Sequence, residues 1–151
     1  MVLIGEYSSK ITAGHRVAIP KDFRKLLGKD LIVTRGFESH LILVNEQQFS
    51  GLTQEISDRP FISGEVREVS RYLMGGAYQI QPDGQGRFVI PEKLLAHGGI
   101  GEKVVFLGLG KWVEIWDEIV WKKHELALGK SSTQIANRLA HLSTNVPGIN
   151  N

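Results

Sequence analysis

The chain has 151 residues, no cysteine, and 18 Lys and Arg against 16 Asp and Glu, which gives a net charge of +2. The lack of cysteine excludes disulfides, thiolate metal sites and cysteine nucleophiles, and so small a net charge does not by itself indicate a polyanionic partner. Hydrophobic residues make up 42% of the chain, enough for one ordinary core or two small ones.

The apolar segments of the sequence predict a cytoplasmic protein without a membrane partner. Residues 1–6 (MVLIGE) lack the basic segment of a signal peptide, and their apolar run ends at an acid. The apolar run at residues 104–109 is far shorter than the roughly 20 residues that a membrane-spanning helix requires.

Two parts of the sequence repeat each other. Residues 7–20 (YSSKITAGHRVAIP) align without a gap with residues 78–91 (YQIQPDGQGRFVIP). After a shift of one position, residues 40–46 (HLILVNE) align with residues 112–118 (WVEIWDE). The chain therefore contains two related units, which we call the first and the second repeat.

The alignment predicts four segments along the chain. These are the first repeat at residues 5–47, a helical linker at residues 48–75, the second repeat at residues 76–119, and a C-terminal helical region with a tail at residues 120–151. The last ten residues, 142–151, are expected to fray.

Each repeat contains an extended segment followed by a short helix. The extended segments are residues 16–19 and residues 87–90. The residue before a proline is confined to extended backbone, so each strand is expected to run up to Pro20 or Pro91. The proline is expected to be the first residue of the helix, and Gly28 or Gly98 its left-handed stop.

A hairpin and a longer helix complete each repeat. The predicted strand pairs are residues 31–34 with 41–44, and residues 104–107 with 112–116 across a turn at 108–111. Asn45 and Asp117 are placed to cap helices that end near residues 56 and 128. A further helix is expected over residues 63–74 in the linker.

The two repeats are expected to share one core. A repeat of about 43 residues seldom buries enough surface to fold alone. Two similar units in one chain favour a pseudo-twofold arrangement with paired or exchanged hairpins, as in a domain-swapped dimer made covalent. The predicted fold is therefore α+β, with one β-barrel core and short flanking helices.

The basic residues are concentrated in the first 35 residues. This segment holds seven Lys and Arg against three acidic residues, a net charge of +4, whereas residues 76–110 hold three of each sign. A solvated surface is the ordinary explanation of such a cluster, and a nucleic-acid-binding surface is the alternative.

The order of these elements resembles a known family. A hairpin, a basic residue after a tight turn, a short strand, Ile-Pro, a short helix and a second hairpin resemble the SpoVT-AbrB swapped-hairpin domain. Two such domains in one chain resemble the MraZ family of regulators. The Asp-x-x-x-Arg signature of that family is present at residues 83–87 (DGQGR), followed by FVIP. Residues 12–16 (TAGHR), followed by VAIP, carry Thr12 in place of the Asp.

The resemblance implies a function. Members of the MraZ family are expected to be cytoplasmic, nucleoid-associated transcriptional regulators of the division and cell-wall gene cluster. The resemblance further implies sequence-specific binding of double-stranded DNA at short repeats near a promoter, by a ring-like homo-oligomer. It implies no cofactor and no small-molecule substrate.

Two arginines are the candidates for reading DNA bases. Arg16 and Arg87 follow the tight turns, and an arginine on a two-stranded ribbon can bind guanine through two hydrogen bonds in the major groove. Asp83 gives Arg87 an alternative role, because this carboxylate can cap the turn and pair with the guanidinium. The uncharged Thr12 leaves Arg16 less neutralised. Further basic residues near the first turn are expected to bind backbone phosphates, and these are Lys10, His15, Lys21, Arg24 and Lys25.

The sequence contains no motif for catalysis or metal binding. Residues 108–111 (GLGK) resemble part of a phosphate loop, but Val105 and Trp112 stand where that loop needs Gly and Ser or Thr. Four of the histidines are scattered without ligand spacing, namely His40, His97, His124 and His141. We therefore expect no enzyme activity and no metal site.

The alternative function is that of an antitoxin-like module that binds another protein. Such chains are expected to carry one hairpin unit and a disordered tail, whereas here a second complete unit follows the first. A stoichiometric protein partner would favour the module, and retained nucleic acid would favour the regulator.

Overall fold

The computed structural model describes residues 2–144, with the backbone alone described for residues 143 and 144. These residues form eight strands and five helices. The strands are β1 (Leu3–Lys10), β2 (Arg16–Ala18), β3 (Leu31–Arg35), β4 (His40–Asn45), β5 (Tyr78–Ile80), β6 (Arg87–Val89), β7 (Lys103–Gly110) and β8 (Val113–Asp117). The helices are α1 (Lys21–Leu27), α2 (Glu46–Ser57), α3 (Gly64–Leu73), α4 (Glu92–Gly98) and α5 (Glu118–Thr144). The mixed α+β composition agrees with the prediction.

The backbone divides into two compact units, Met1–Glu118 and Ile119–Asn151. The first contains all eight described strands and helices α1 to α4, and α5 belongs to the second from Ile119 onward. No helix within residues 2–144 combines the length and the apolar character needed to cross a membrane.

The strands form one open antiparallel sheet and one separate ribbon. The sheet has the order β1-β7-β8-β4-β3-β5, and β2 pairs with β6 alone. Strands β1 and β5 remain at the sheet edges, so the predicted β-barrel is not closed. The reason lies in β5, which has only three residues before Gln81 and Pro82, and proline has no N–H to extend a ladder. A strand this short leaves β1 without a partner for closure.

Strands of the first repeat pair with strands of the second. Strand β1 of the first repeat pairs with β7 of the second, and β5 of the second pairs with β3 of the first. The register places equivalent residues opposite each other, Val17 against Phe88 in the ribbon and Ile42 against Glu114 in the sheet. This is the register that a pseudo-twofold relation between the repeats requires.

One hydrophobic core joins both repeats. It contains Leu3, Val17, Ile19, Phe23, Leu27, Leu31, Val33, Leu41 and Leu43 from the first half of the chain, and Phe88, Ile90, Leu94, Val104, Phe106, Val113 and Ile115 from the second. A smaller cluster around Ile32, Ile42, Val44 and Leu73 packs against apolar residues of α2. The sharing of one core therefore agrees with the limited surface that one repeat could bury.

Three of the four ends of the short helices differ from the prediction by one residue. Pro20 and Pro91 are the N-caps of α1 and α4, with extended ψ angles of 138° and 143°, and are not the first helical residues. The fixed φ of proline suits both an N-cap and a first helical residue, so the ψ angle distinguishes the two positions. Gly28 ends α1 at the predicted position, but its φ of 84° and ψ of −155° are not the predicted left-handed conformation, whereas Gly98 is still helical and Gly99 is left-handed. Two adjacent glycines made that position ambiguous in the sequence.

Strand β7 continues through the segment predicted to be a turn. Gly108 lies opposite Gly5 of β1, and a Cβ at Gly108 would lie 2.6 Å from the backbone nitrogen of Ile4. The close approach of β1 therefore explains both the glycine and the extension of the strand to Gly110. The hydrogen bond from the Leu109 nitrogen to the Trp112 carbonyl, at 2.9 Å, closes the turn around Gly110 and Lys111, one position later than the predicted segment 108–111.

The long helices start as predicted, but α5 ends much later. The Asn45 Oδ1 accepts a hydrogen bond from the Gln48 nitrogen at 2.8 Å, which caps α2 as expected. Helix α5 begins after Asp117 and runs to Thr144, past the predicted end near residue 128 and through part of the predicted frayed segment. A single glycine costs a helix only about 1 kcal/mol, so Gly129 does not stop it. Residues 145–151 of that segment lie outside the described residues.

A polar cluster interrupts the centre of the sheet at Glu114. This carboxylate accepts hydrogen bonds from the indole nitrogens of Trp112 at 3.0 Å and Trp116 at 2.9 Å, and lies 3.3 Å from the His40 Nε2. Burial raises the pKa of Glu114, but the hydrogen bonds from His40, Trp112 and Trp116 and the charge of His40 outweigh it and hold the pKa below its ordinary value.

We expect Glu114→Gln to destabilise the protein at neutral pH by about 1 to 3 kcal/mol, because the buried indole and imidazole groups lose a charged acceptor. A lowered pKa in the folded state stabilises the protein above the pKa of unfolded glutamate, and this contribution disappears as the pH falls through the folded value. The difference in free energy of unfolding between Glu114→Gln and the unchanged chain should therefore shrink in acid. Urea unfolding from neutral pH down through the pKa of Glu114 measures it. The exposed Glu102→Gln is the control, and a difference independent of pH would contradict the expectation.

Candidate nucleic-acid interface

The loop before β2 is held by its backbone and leaves Arg16 exposed. The Thr12 nitrogen donates to the Arg16 carbonyl at 2.9 Å, and the Thr12 hydroxyl donates to the same oxygen at 3.3 Å. Gly14 and His15 both have positive φ angles, 78° and 57°, which turn the chain tightly. No acidic side chain within residues 2–144 forms an ion pair with Arg16. Its charge is therefore available to a partner.

The loop before β6 is held by Asp83. One carboxylate oxygen accepts hydrogen bonds from the nitrogens of Gln85 at 2.9 Å and Arg87 at 3.0 Å, and the other pairs with the Arg87 Nε at 3.0 Å. The backbone hydrogen bond from Arg87, followed by those from Gln85 and the guanidinium, lowers the pKa of Asp83 despite some desolvation. Asp83 is thus ionised at neutral pH and partly neutralises Arg87, as the spacing of the two residues predicted.

The β2–β6 ribbon carries both arginines on one face. Arg16 lies opposite Val89, which is two residues beyond Arg87 on the same strand. Successive side chains of a strand alternate, so the arginines point outward with Val89, while Val17 and Phe88 point into the core. Diagonal neighbours of this kind lie about 7 to 8 Å apart. A shallow groove of about 290 Å³ beside the ribbon contains both arginines.

Backbone hydrogen bonds between the two repeats extend this ribbon at both of its ends. The Ile90 nitrogen donates to the His15 carbonyl and the Ile19 nitrogen to the Gly86 carbonyl, both at 2.9 Å. The two loops therefore lie at opposite ends of one ribbon, and each is attached to a strand of the other repeat.

The basic helix α1 lies beside the loop of the second repeat. A Cβ at Gly86 would overlap the Cδ of Arg24, so the arginine side chain passes directly over this glycine. Gly86 also has a φ of 76°, which other residues rarely adopt. A second groove, of about 520 Å³, separates α1 from this loop, and the cations that line it are Lys21, Arg24, Lys25 and Lys29.

The two grooves contain most of the predicted site residues. Arg16 and Arg87 line the ribbon groove, and Lys21, Arg24 and Lys25 line the groove beside α1. Lys10, at the end of β1, and His15, in the first loop, are exposed and line neither groove.

Sequence reasoning missed two polar side chains of these grooves, Lys29 and Gln81. The concentration of Lys and Arg in the first 35 residues was a usable signal for Lys29, whereas helix spacing was not, because α1 ends at Leu27. Gln81, which lines the ribbon groove, had no such signal.

Comparison with known proteins adds to these observations. A family model described as "MraZ protein, putative antitoxin-like" matches the chain twice, over residues 2–72 and 73–142, which is the offset of the internal repeat. Proteins named "Transcriptional regulator MraZ" from Acetivibrio thermocellus and Alkaliphilus oremlandii are 33% and 31% identical over 91% and 93% of this chain, and over 96% and 99% of their own lengths. The corresponding protein from Roseiflexus castenholzii is 33% identical over 93% of this chain and 99% of its own. The matches confirm the family resemblance.

Proposed function

Because the chain belongs to the MraZ family, we propose that it is a transcriptional regulator that reads double-stranded DNA with the outer face of the β2–β6 ribbon. The observation that carries this proposal is the presence of Arg16 and Arg87 on one exposed face of a two-stranded ribbon. The major groove admits such a ribbon, and arginine binds guanine there through two hydrogen bonds.

The basic residues outside the ribbon face position the protein on the DNA backbone. Lys21, Arg24 and Lys25 on α1 bind phosphates, with Lys10 and His15 near the first loop. Backbone contacts of this kind add affinity and fix orientation, whereas the two arginines supply sequence specificity.

Membership of the family also supports a proposal about the target and location of the protein. We propose that the chain binds promoter-proximal repeats of the division and cell-wall gene cluster and acts in the cytoplasm, on the nucleoid. Footprinting on DNA upstream of the chain's own gene gives the operator sequence that the titrations below require.

We also propose that the two repeats, residues 5–47 and 76–119, are SpoVT-AbrB-like swapped-hairpin units. The pairing of β1 with β7 and of β5 with β3 supports this, because each repeat supplies a strand to the other. Residues 48–75 then act as a linker, and residues 120–151 as a C-terminal region.

Assembly into a ring-like homo-oligomer is a further part of the proposal. Residues 76–110 carry no net charge, and such a surface is easier to desolvate than the basic first segment. Light scattering is expected to give a mass several times the 16.8 kDa of one chain, and a mass of one chain at working concentrations would contradict the proposal.

The binding of backbone phosphates can be tested through its salt dependence. Lys21→Ala should weaken binding to the operator and to random duplex alike, because phosphates carry no sequence information. The slope of log affinity against log salt should become shallower by about one for each phosphate that the variant no longer neutralises. Lys93→Ala, which removes an equal charge from α4, is the control and should change neither quantity. A selective weakening of operator binding would assign Lys21 to the bases instead.

A second candidate function, an antitoxin-like protein-interaction module, is favoured by one exposed apolar pair. Phe61 and Ile62 are among the most exposed large apolar side chains of the described chain, and the Arg67 Nη1 donates to both of their carbonyls, at 3.0 and 2.9 Å. Adjacent exposed apolar side chains can form part of a protein contact. Co-purification of a stoichiometric foreign protein would favour this function, and retention of nucleic acid on a heparin column would favour the regulator.

A further inference from the structure

The groove beside α1 is formed jointly by the two repeats. Its volume is about 520 Å³, and its second wall is the loop at residues 82–86. Four cations line it, and they are Lys21, Arg24, Lys25 and Lys29. Lys21 and Lys25 lie about 6 Å apart along the helix axis, and Lys29 follows just beyond the helix end.

These cations are not neutralised by the protein. None of the four forms an ion pair within residues 2–144, and the Nε of Arg24 is buried without a hydrogen-bond partner. The carboxylate of Asp83, in the same groove, is already bound to Arg87 and to two backbone nitrogens. The nearby Asp30 accepts a hydrogen bond from Gln81 at 3.0 Å. Like charges four residues apart repel each other. No carboxylate within residues 2–144, including the neighbouring Asp22, forms an ion pair that would offset this repulsion.

The fold does not require cations at these positions. Helix α4 is the counterpart of α1 at an offset of 71 residues. The residues of the second repeat that correspond to Lys21, Arg24, Lys25 and Lys29 are Glu92, Leu95, Ala96 and Ile100. The same helix therefore folds with an acid and three apolar residues, and the charge at α1 is explained by a ligand better than by packing.

We infer that the groove between α1 and the loop at residues 82–86 binds linked phosphate groups. Lysine and arginine donate charge-assisted hydrogen bonds to phosphate oxygens. A single phosphate cannot contact cations spread over two turns of chain, whereas two or more linked phosphates can. Consecutive phosphates of a DNA strand and a soluble polyphosphate compound share this chemistry. Use of the groove by DNA rests on the proposed function, but binding of a soluble compound does not.

The groove can be tested without DNA, with inorganic pyrophosphate as the probe in isothermal titration calorimetry. Two double variants remove the same charge, Lys25→Gln with Lys29→Gln in the groove, and Lys93→Gln with Lys123→Gln at exposed positions outside it. The groove variant is expected to bind pyrophosphate at least about tenfold more weakly than the unchanged chain, because two partly exposed ion pairs with the probe can no longer form. The control variant should bind as the unchanged chain does.

A second measurement identifies the source of the phosphates. Pyrophosphate is added to the protein and operator duplex at constant ionic strength, which separates competition from salt screening. Competition that disappears in the groove variant assigns the groove to DNA phosphates as well as to soluble compounds. DNA binding unaffected by pyrophosphate assigns the groove to soluble compounds alone.

The inference is overturned if pyrophosphate does not bind, or if both double variants lose affinity equally. Either result leaves the DNA-reading role of the ribbon untouched, because that role depends on Arg16 and is measured with duplex DNA. Conversely, pyrophosphate binding in a protein that fails to bind any operator would reject the proposed function and keep the inference.

Discussion

Replacing Ile19 by aspartate is expected to unfold both repeats in a single transition. The side chain is 2% exposed in the core that the repeats share, and its backbone nitrogen binds the Gly86 carbonyl of the second repeat at 2.9 Å. An unpaired buried charge costs several kcal/mol, comparable to the roughly 5 to 15 kcal/mol that stabilise a whole domain. Because both repeats contribute to this one core, neither is expected to remain folded alone.

The tryptophans make this prediction measurable. All three lie beyond residue 111, and Trp112 and Trp116 are in the second repeat, whereas Ile19 is in the first. Loss of the native tryptophan fluorescence in Ile19→Asp therefore reports unfolding of the repeat that was not changed. Ile62→Asp, the same substitution at a residue that is 86% exposed, is the control and should unfold like the unchanged chain. Two separate calorimetric transitions for the two repeats would contradict a shared core.

Replacing Arg16 by alanine is expected to reduce operator binding by about 1 to 3 kcal/mol for each bound subunit, because the alanine variant cannot form the two hydrogen bonds to guanine. Arg87→Ala should weaken operator binding less than Arg16→Ala does, since the guanidinium of Arg87 is already paired with Asp83 at 3.0 Å. Binding to random duplex should change much less than binding to the operator in both variants.

The comparison of the two arginines depends on Asp83. In Asp83→Asn, Arg87 has no carboxylate partner. Adding Arg87→Ala to this variant should therefore weaken operator binding as much as Arg16→Ala weakens it in the unchanged chain. Titrations against operator and random duplex at several salt concentrations measure all these effects. Equal weakening by Arg16→Ala and Arg87→Ala would mean that both arginines read bases alike. Unchanged operator binding in Arg16→Ala would refute the assignment of the first loop.

The sequence determined the features that depend on residues close together in the chain. The cap of α2 joins Asn45 to Gln48, and the turn of the second loop joins Asp83 to Gln85 and Arg87. These interactions span at most four positions, so residue type and spacing were enough to predict them. The repeat itself was visible for a related reason, because similar residues recur at a nearly constant offset.

The tertiary structure decided the features that depend on residues far apart in the chain. The length of β7 follows from its pairing with β1, which begins about 100 positions earlier, and the open sheet follows from the shortness of β5. The groove beside α1 is lined by residues of both repeats, with Arg24 of the first lying over Gly86 of the second. Such contacts leave no periodic pattern in the sequence, since they are set by which strands pair and by the space that remains between them. The charge of α1 could therefore be read from the sequence, but the loop that faces it could not.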